Sequence, residues 1–161
     1  MVILGIDPGF QFAGFGVLKK DGHKVFLLDA GYLKMTSTQP LQERIAIFHD
    51  HFTNIIVLHQ VTDLAIETPF LGKNAQNFLK LGYLRGILYL LANKHKLSLH
   101  EFSPREVKQS VTGYGGASKE QVARVVLQLF PKLEQPKKED VTDALAVTLC
   151  GLWKNKNSYC G

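Results

Sequence analysis

Cysteine is scarce in this 161-residue chain, with Cys150 and Cys160 the only two. Two cysteines, one of them a residue from the end, make neither a disulfide framework nor a zinc spacing, which points to a reducing, cytoplasmic setting. Long hydrophobic runs are missing as well: no stretch has the apolar length that crosses a bilayer. The opening MVILGIDPGF has no basic segment before its apolar residues and meets a carboxylate at Asp7, so it does not read as a secretory signal. There is no internal repeat, no low-complexity segment and no composition shift that would mark a linker. One domain over 1–153 with a short tail over 154–161 is therefore expected. The six histidines are scattered, and His49 and His51 lie two apart, on different faces of any helix.

What is present fits an ordinary globular protein, with 45% hydrophobic and 20% charged residues and enough length for one sizeable core. The net charge of +5 is unevenly spread. From Lys73 to Lys138 there are 12 Lys or Arg against 4 Asp or Glu, a balance of +8, while the rest of the chain stands at −3. A basic middle beside an acidic remainder suits a polyanion lying next to a site that needs carboxylates, although a basic solvated surface has the same composition.

Val2–Ile6 is a short aliphatic run punctuated by Pro8 and Gly9, which puts Asp7 at a strand end. Phe12–Leu18 and Lys24–Leu33 read as two more strands around a turn at Lys20-Asp21-Gly22, an antiparallel meander. The period then changes to a helical stripe of Leu41, Ile45, Phe48, Phe52, Ile55 and Ile56, with Thr38 expected as its N-cap. Thr62–Glu67 is a second buried-type strand that ends in a carboxylate ahead of a proline, Pro69. Asn74–Leu91 reads as a long helix apolar over most of its circumference, which requires cover on two sides: the sheet, and either a neighbouring helix or a second subunit. A strand over Leu97–Phe102, a short helix opened by Pro104, and a helix with Ser118 and Gln121 at capping-box spacing follow. The last helix covers about Glu139 to Trp153. The order β-β-β-α-β-α-β-α-α-α implies an α/β fold, a mixed sheet flanked by helices.

Asp7 and Glu67 each close a hydrophobic strand, and in open α/β sheets the ligand site lies beyond the carboxyl ends of the strands. Asp140 and Asp143 stand at i and i+3 on a helix, about 5–6 Å apart at their Cβ atoms. Any one of these could be a turn former or a helix-dipole partner. Gathered together, four carboxylates repel one another and resist ionisation without a cation. Oxygen-only ligands select Mg²⁺ or Mn²⁺, and two such ions about 3.5–4 Å apart support phosphodiester cleavage.

Gly5-Ile6-Asp7-Pro8-Gly9 with Gly14, Gly16 and Val17 resembles the opening motif of the RuvC family of crossover junction endodeoxyribonucleases. Ile66-Glu67, Phe70, Lys73-Asn74-Ala75, Leu79-Lys80-Leu81-Gly82 and Arg85-Gly86 resemble its central block. Pro104, Val107-Lys108, Val111-Thr112-Gly113, Gly115, Lys119 and Gln121-Val122 are similar to the third, and Asp140 with Asp143-Ala144-Leu145-Ala146 to the last. The resemblance covers about residues 2–152. It implies a ribonuclease-H-like fold with a mixed five-stranded sheet, three strands antiparallel and two parallel. It further implies a homodimer, paired metal-dependent nicks across a four-way (Holliday) junction in recombination and repair, and a branch-migration motor of RuvA and RuvB as partner. In that frame Asp7, Glu67, Asp140 and Asp143 hold the metal, Lys108 and Lys119 contact the DNA backbone, Lys73 belongs to the DNA-binding set, and Phe70 stacks on an unpaired base. Ala13, Tyr83, Tyr114 and Gly116 depart from the family's usual residues and leave junction contacts and cleavage preference open. Three other readings are weighed. An RNA-processing relative would cut hybrids rather than junctions. A silent junction-binding module would have lost a carboxylate. An actin-like ATPase would need a second phosphate-binding glycine loop.

Overall fold

The computed structural model describes residues 1–69, 72, 74–133 and 136–154. Five strands form one sheet in the order β3-β2-β1-β4-β5. β1 (Val2–Asp7), β2 (Phe12–Asp21) and β3 (Lys24–Lys34) make the antiparallel meander. β4 (Asp63–Glu67) and β5 (Ser98–Phe102) run parallel to β1, reached through α1 (Leu41–His59) and α2 (Ala75–Lys94). α3 (Pro104–Thr112), α4 (Lys119–Leu129) and α5 (Glu139–Lys154) complete the chain, with Lys154 the last residue of α5. The mixed five-stranded sheet expected from the sequence is the one observed.

Strand parity sorts the side chains into two cores. Leu4, Ile6, Leu64 and Ile66 pack with Phe48, Phe52 and Ile56 of α1 and Leu84, Leu88 and Leu91 of α2. Ile3 and Ala65 belong to the opposite core, with Val107 of α3, Val122 and Val126 of α4 and Leu145 and Leu149 of α5. Asp7 shares the parity of Ile3, and Glu67 that of Ala65, so both carboxylates point to the α5 side.

α5 is buried at nearly every position from Val141 to Leu152, because it lies on the sheet beneath α3 and α4. Its approach to β1 and β2 depends on glycine. A Cβ on Gly5 would sit 2.0 Å from the Thr148 hydroxyl oxygen, and one on Gly14 would sit 2.0 Å from the Asp140 carbonyl oxygen. Gly14 lies directly across from Asp7, so this close contact brings the start of α5 beside the end of β1.

Two local expectations differ from the structure. Thr38 does not cap α1: the N-cap is Pro40, which makes no side-chain cap, and the backbone N–H of Thr36 is satisfied by the Gln39 side chain instead. α3 carries a full capping box between Ser103 and Glu106, one residue ahead of the proline that marks it in sequence. The apolar circumference of α2 is covered on one side only. Leu84, Leu88, Leu91 and Ala92 are buried, while Leu79 (58%), Leu90 (45%), Phe78 and Tyr83 remain exposed. No helix among the described residues is long and apolar enough to cross a membrane.

Candidate active site

β1 and β4 pair in parallel as far as Ile6 against Ile66, which brings Asp7 and Glu67 level just past the last paired residues. Helix α5 lies over that edge, with Asp143 one turn beyond Asp140. A cleft of about 190 Å³ collects Asp7, Glu67 and Asp143 with Lys108 of α3, Lys119 of α4 and Pro104. Asp140 lines a separate hollow with Pro8 and Phe12. Three of the four expected carboxylates and two of the three expected lysines, Lys108 and Lys119, thus share one cleft, and the fourth carboxylate lines that other hollow. Phe70 and Lys73 lie outside the described residues.

Electrostatics tie Asp140 to the group. The Asp7 carboxyl is pushed up to about 7 by burial, then by the charges of Asp143, Asp140 and Glu67, with the Lys119 ammonium opposing. Glu67 is also raised, chiefly by burial and by Asp143, against Lys119, Lys108 and Arg85. Lys119 donates to Asp143 across 3.1 Å, and this carboxylate holds the ammonium's pKa above its usual value.

A divalent cation is implied by this chemistry. Among the described residues no group of three or more His, Cys, Asp or Glu is arranged so that it could hold an ion as it stands. The donor set nevertheless suits one: the candidate ligands are all oxygen, Asp7 and Glu67 are held above the usual carboxylate range by burial and the neighbouring charges, and a lysine ammonium already partners Asp143. The side chains therefore have the charge and the neighbourhood for a hard cation.

A larger groove of about 380 Å³ between α4 and α5 shares Lys119 and Asp143 with the cleft and adds Arg124, Lys138 and the methylene floor of Leu127 and Pro136. Lys138 also rests 3.8 Å from the centroid of the Phe12 ring. Sequence reasoning had no signal for these contacts, which join residues far apart in the chain. It also missed a role for Arg85, whose guanidinium donates to the main-chain carbonyl of Glu67. Among the histidines, His59 pairs with Asp29 and His100 with Asp63, while His51 packs against Phe15 and Phe52. None lines the cleft.

The family model for the crossover junction endodeoxyribonuclease RuvC matches residues 3–151. The chain belongs to the RuvC family. It is 38% identical over 159 residues to the RuvC of Halothermothrix orenii, spanning 99% of this chain and 94% of that one. It is 42% identical over 157 residues to the RuvC of Chlorobium phaeobacteroides, spanning 98% and 84%. Its structure is similar to that of Thermus thermophilus RuvC in complex with a Holliday junction substrate, at a TM-score of 0.91 and 28% identity, covering 98% of this chain and 96% of the other. The yeast mitochondrial Holliday junction resolvase shares the fold at a TM-score of 0.66 and 14% identity, over 98% of this chain and 82% of that one. Membership of the RuvC family implies a metal-dependent nuclease. The fold is therefore the ribonuclease-H-like one that the resemblance implies.

Proposed function

We propose that this RuvC chain resolves Holliday junctions with the carboxylates at the ends of β1 and β4 and on α5, acting as a homodimer. The observation that carries the reading is the level placement of Asp7 and Glu67 beneath Asp143 and Lys119. Asp7, Glu67, Asp140 and Asp143 would hold Mg²⁺, or Mn²⁺ in its place, two ions per site. That cation would offset the carboxylate charge, activate the attacking water and polarise the phosphate.

The chain's own groups do the rest. Asp7 and Glu67, anchored on strands, set the place of the reacting phosphate to within the tolerance of the sheet. Lys108 and Lys119 reach the cleft from two different helices, so they bind phosphate oxygens and stabilise the charge that develops in the transition state. Arg124 and Lys138 extend the cationic track along the α4–α5 groove. Phe70 stacks on an unpaired base at the crossover and Lys73 supports the DNA nearby. The products are 5′-phosphate and 3′-hydroxyl ends, open to a ligase.

In this reading the second subunit packs on the exposed side of α2. Gly82 and Gly86, one turn apart, have nothing within 4 Å of an added Cβ, and exposed Leu79, Tyr83 and Leu90 flank them. An apolar face around a glycine notch lets a like helix approach closely. Residues 1–153 are taken as one nuclease domain with a short tail, the setting as cytoplasmic, and RuvA and RuvB as the accompanying motor.

The test is cleavage of a synthetic four-way junction with Mg²⁺ or with EDTA, by wild type and by Asp7→Asn. Symmetric paired nicks that vanish with EDTA and in the variant, while junction binding persists, are expected. Tight binding without cleavage across varied core sequences would replace the nuclease with a binding module.

A further inference from the structure

The described part of the molecule buries one formally charged side chain almost completely: Arg85, 6% exposed. A guanidinium taken out of water needs its donors met. Arg85 meets them on three elements. One nitrogen donates to the Glu67 carbonyl at the end of β4; the other donates to Glu101 Oε1 on β5 at 2.6 Å and to the Tyr89 hydroxyl at 3.2 Å. Tyr89 in turn donates to the same Glu101 oxygen at 2.7 Å. The guanidinium is thus fixed by a carboxylate and a phenol that are also bonded to each other.

The position of the accepted bond is what matters. Glu67 is the last residue of β4, and the β1–β4 ladder has ended one residue earlier, at Ile6 against Ile66. On the other side the chain leaves the sheet through a single bond from the Thr68 N–H to the Phe102 carbonyl, at 2.7 Å. Glu101 pairs with Ile66, which faces the α1–α2 core, so the network sits on the side of the sheet opposite the cleft. Arg85 lines none of the cleft that holds Asp7 and Lys119. Its bond acts on the backbone that aims the Glu67 carboxylate.

We infer that Arg85, held by Glu101 and Tyr89, is a positioning residue that orients the Glu67 carboxylate for the divalent cation from behind the sheet. The inference rests on the reading of Glu67 as a ligand proposed above. Partners of metal ligands act through ligand orientation, and their loss typically weakens metal affinity by about 10–100-fold.

The experiment uses the full-length protein and measures Mn²⁺ binding without DNA by electron paramagnetic resonance, junction affinity in Ca²⁺, and the Mg²⁺ concentration for half-maximal cleavage. Tyr89→Phe removes one hydroxyl and Glu101→Gln removes the charge, and both leave the core volume intact; Arg85→Met and Arg85→Lys complete the set. Expected are Mn²⁺ affinity and Mg²⁺ requirement worsened by about tenfold in Arg85→Met, with smaller losses in Tyr89→Phe and Glu101→Gln and partial rescue in Arg85→Lys, while junction affinity in Ca²⁺ stays within about twofold. A purely structural role would lower the melting temperature and leave the metal requirement unmoved. That result in Tyr89→Phe and Glu101→Gln overturns the inference, even if Arg85→Met does not fold. Glu67→Gln separates the two failures. If it binds Mn²⁺ like wild type, Glu67 is no ligand and both readings fall. If it loses Mn²⁺ while the network variants keep it, only the positioning role falls.

Discussion

Asp7 shows how a site built for charge loads its own fold. Burial and three nearby carboxylates push its pKa up to about 7, from an ordinary value of 3.8. A carboxyl whose folded-state pKa lies above its unfolded value contributes stability that is complete below about pH 4 and is lost as pH rises through about 7. In metal-free buffer at pH 8, Asp7→Asn is therefore expected to melt a few degrees above wild type, and the gap should close near pH 4. Differential scanning calorimetry at the two pH values checks this; a variant that melts lower at pH 8 would mean that Asp7 is satisfied without a cation. Because protons and cation compete for the same oxygens, the Mg²⁺ requirement for cleavage should also rise as pH falls below about 7.

Helices set the remaining groups around those strand ends, and each does so through a local device. α3 delivers Lys108 and Pro104 to the cleft, and its start is fixed by the reciprocal bonds of Ser103 and Glu106. Glu106 is bound by Lys154 and Ser103, and these contacts hold its pKa down at about 2. Ser103→Ala should cost about 1 kcal/mol of stability, read as a shift in urea midpoint. Junction cleavage well below the melting temperature should survive, since no group in the cleft is removed. α2 works on two sides at once: its inner face carries Arg85 to β4, and its outer face leaves Leu79 and Leu90 exposed. If the proposed dimer packs through this face, Leu79→Asp with Leu90→Asp is expected to yield monomer in sedimentation velocity where wild type sediments as dimer, with paired nicks replaced by single, uncoordinated ones. A double variant that sediments as wild type would remove this face of α2 from the proposed dimer contact.

Across the whole molecule the charge asymmetry acquires a geometry. The basic middle of the chain supplies Lys108 and Lys119 to the cleft and Arg124 and Lys138 to the groove beside it, while the acidic remainder supplies Asp7, Glu67 (which precedes the basic span) and the first turn of α5. Opposite charges meet at the carboxyl ends of β1 and β4, and under the proposed function a phosphate backbone would be attracted by one set and cut with the help of the other. Junction affinity should fall steeply with salt. Replacing Lys108 by Ala should lower the slope of log affinity against log salt by about 1, without changing which junctions are preferred. An unchanged slope in fluorescence anisotropy titrations would take Lys108 off the phosphate track.

Much of this was legible in the sequence, because strands, helices and their ends are written in short-range periodicity and punctuation. Asp7 before Pro8, Glu67 before Pro69, and the i, i+3 pair Asp140 and Asp143 needed only local reading, as did the order of ten elements. Tertiary structure alone decided the rest. That Asp7 and Glu67 stand level follows from the β1–β4 register, and that Asp140 comes near enough for its charge to act on Asp7 follows from the space left at Gly14. That Arg85 meets Glu101 and Glu67 follows from a helix crossing behind two parallel strands. Such contacts join residues 16 to 126 positions apart, and are set by register and interlayer packing, which no local pattern encodes.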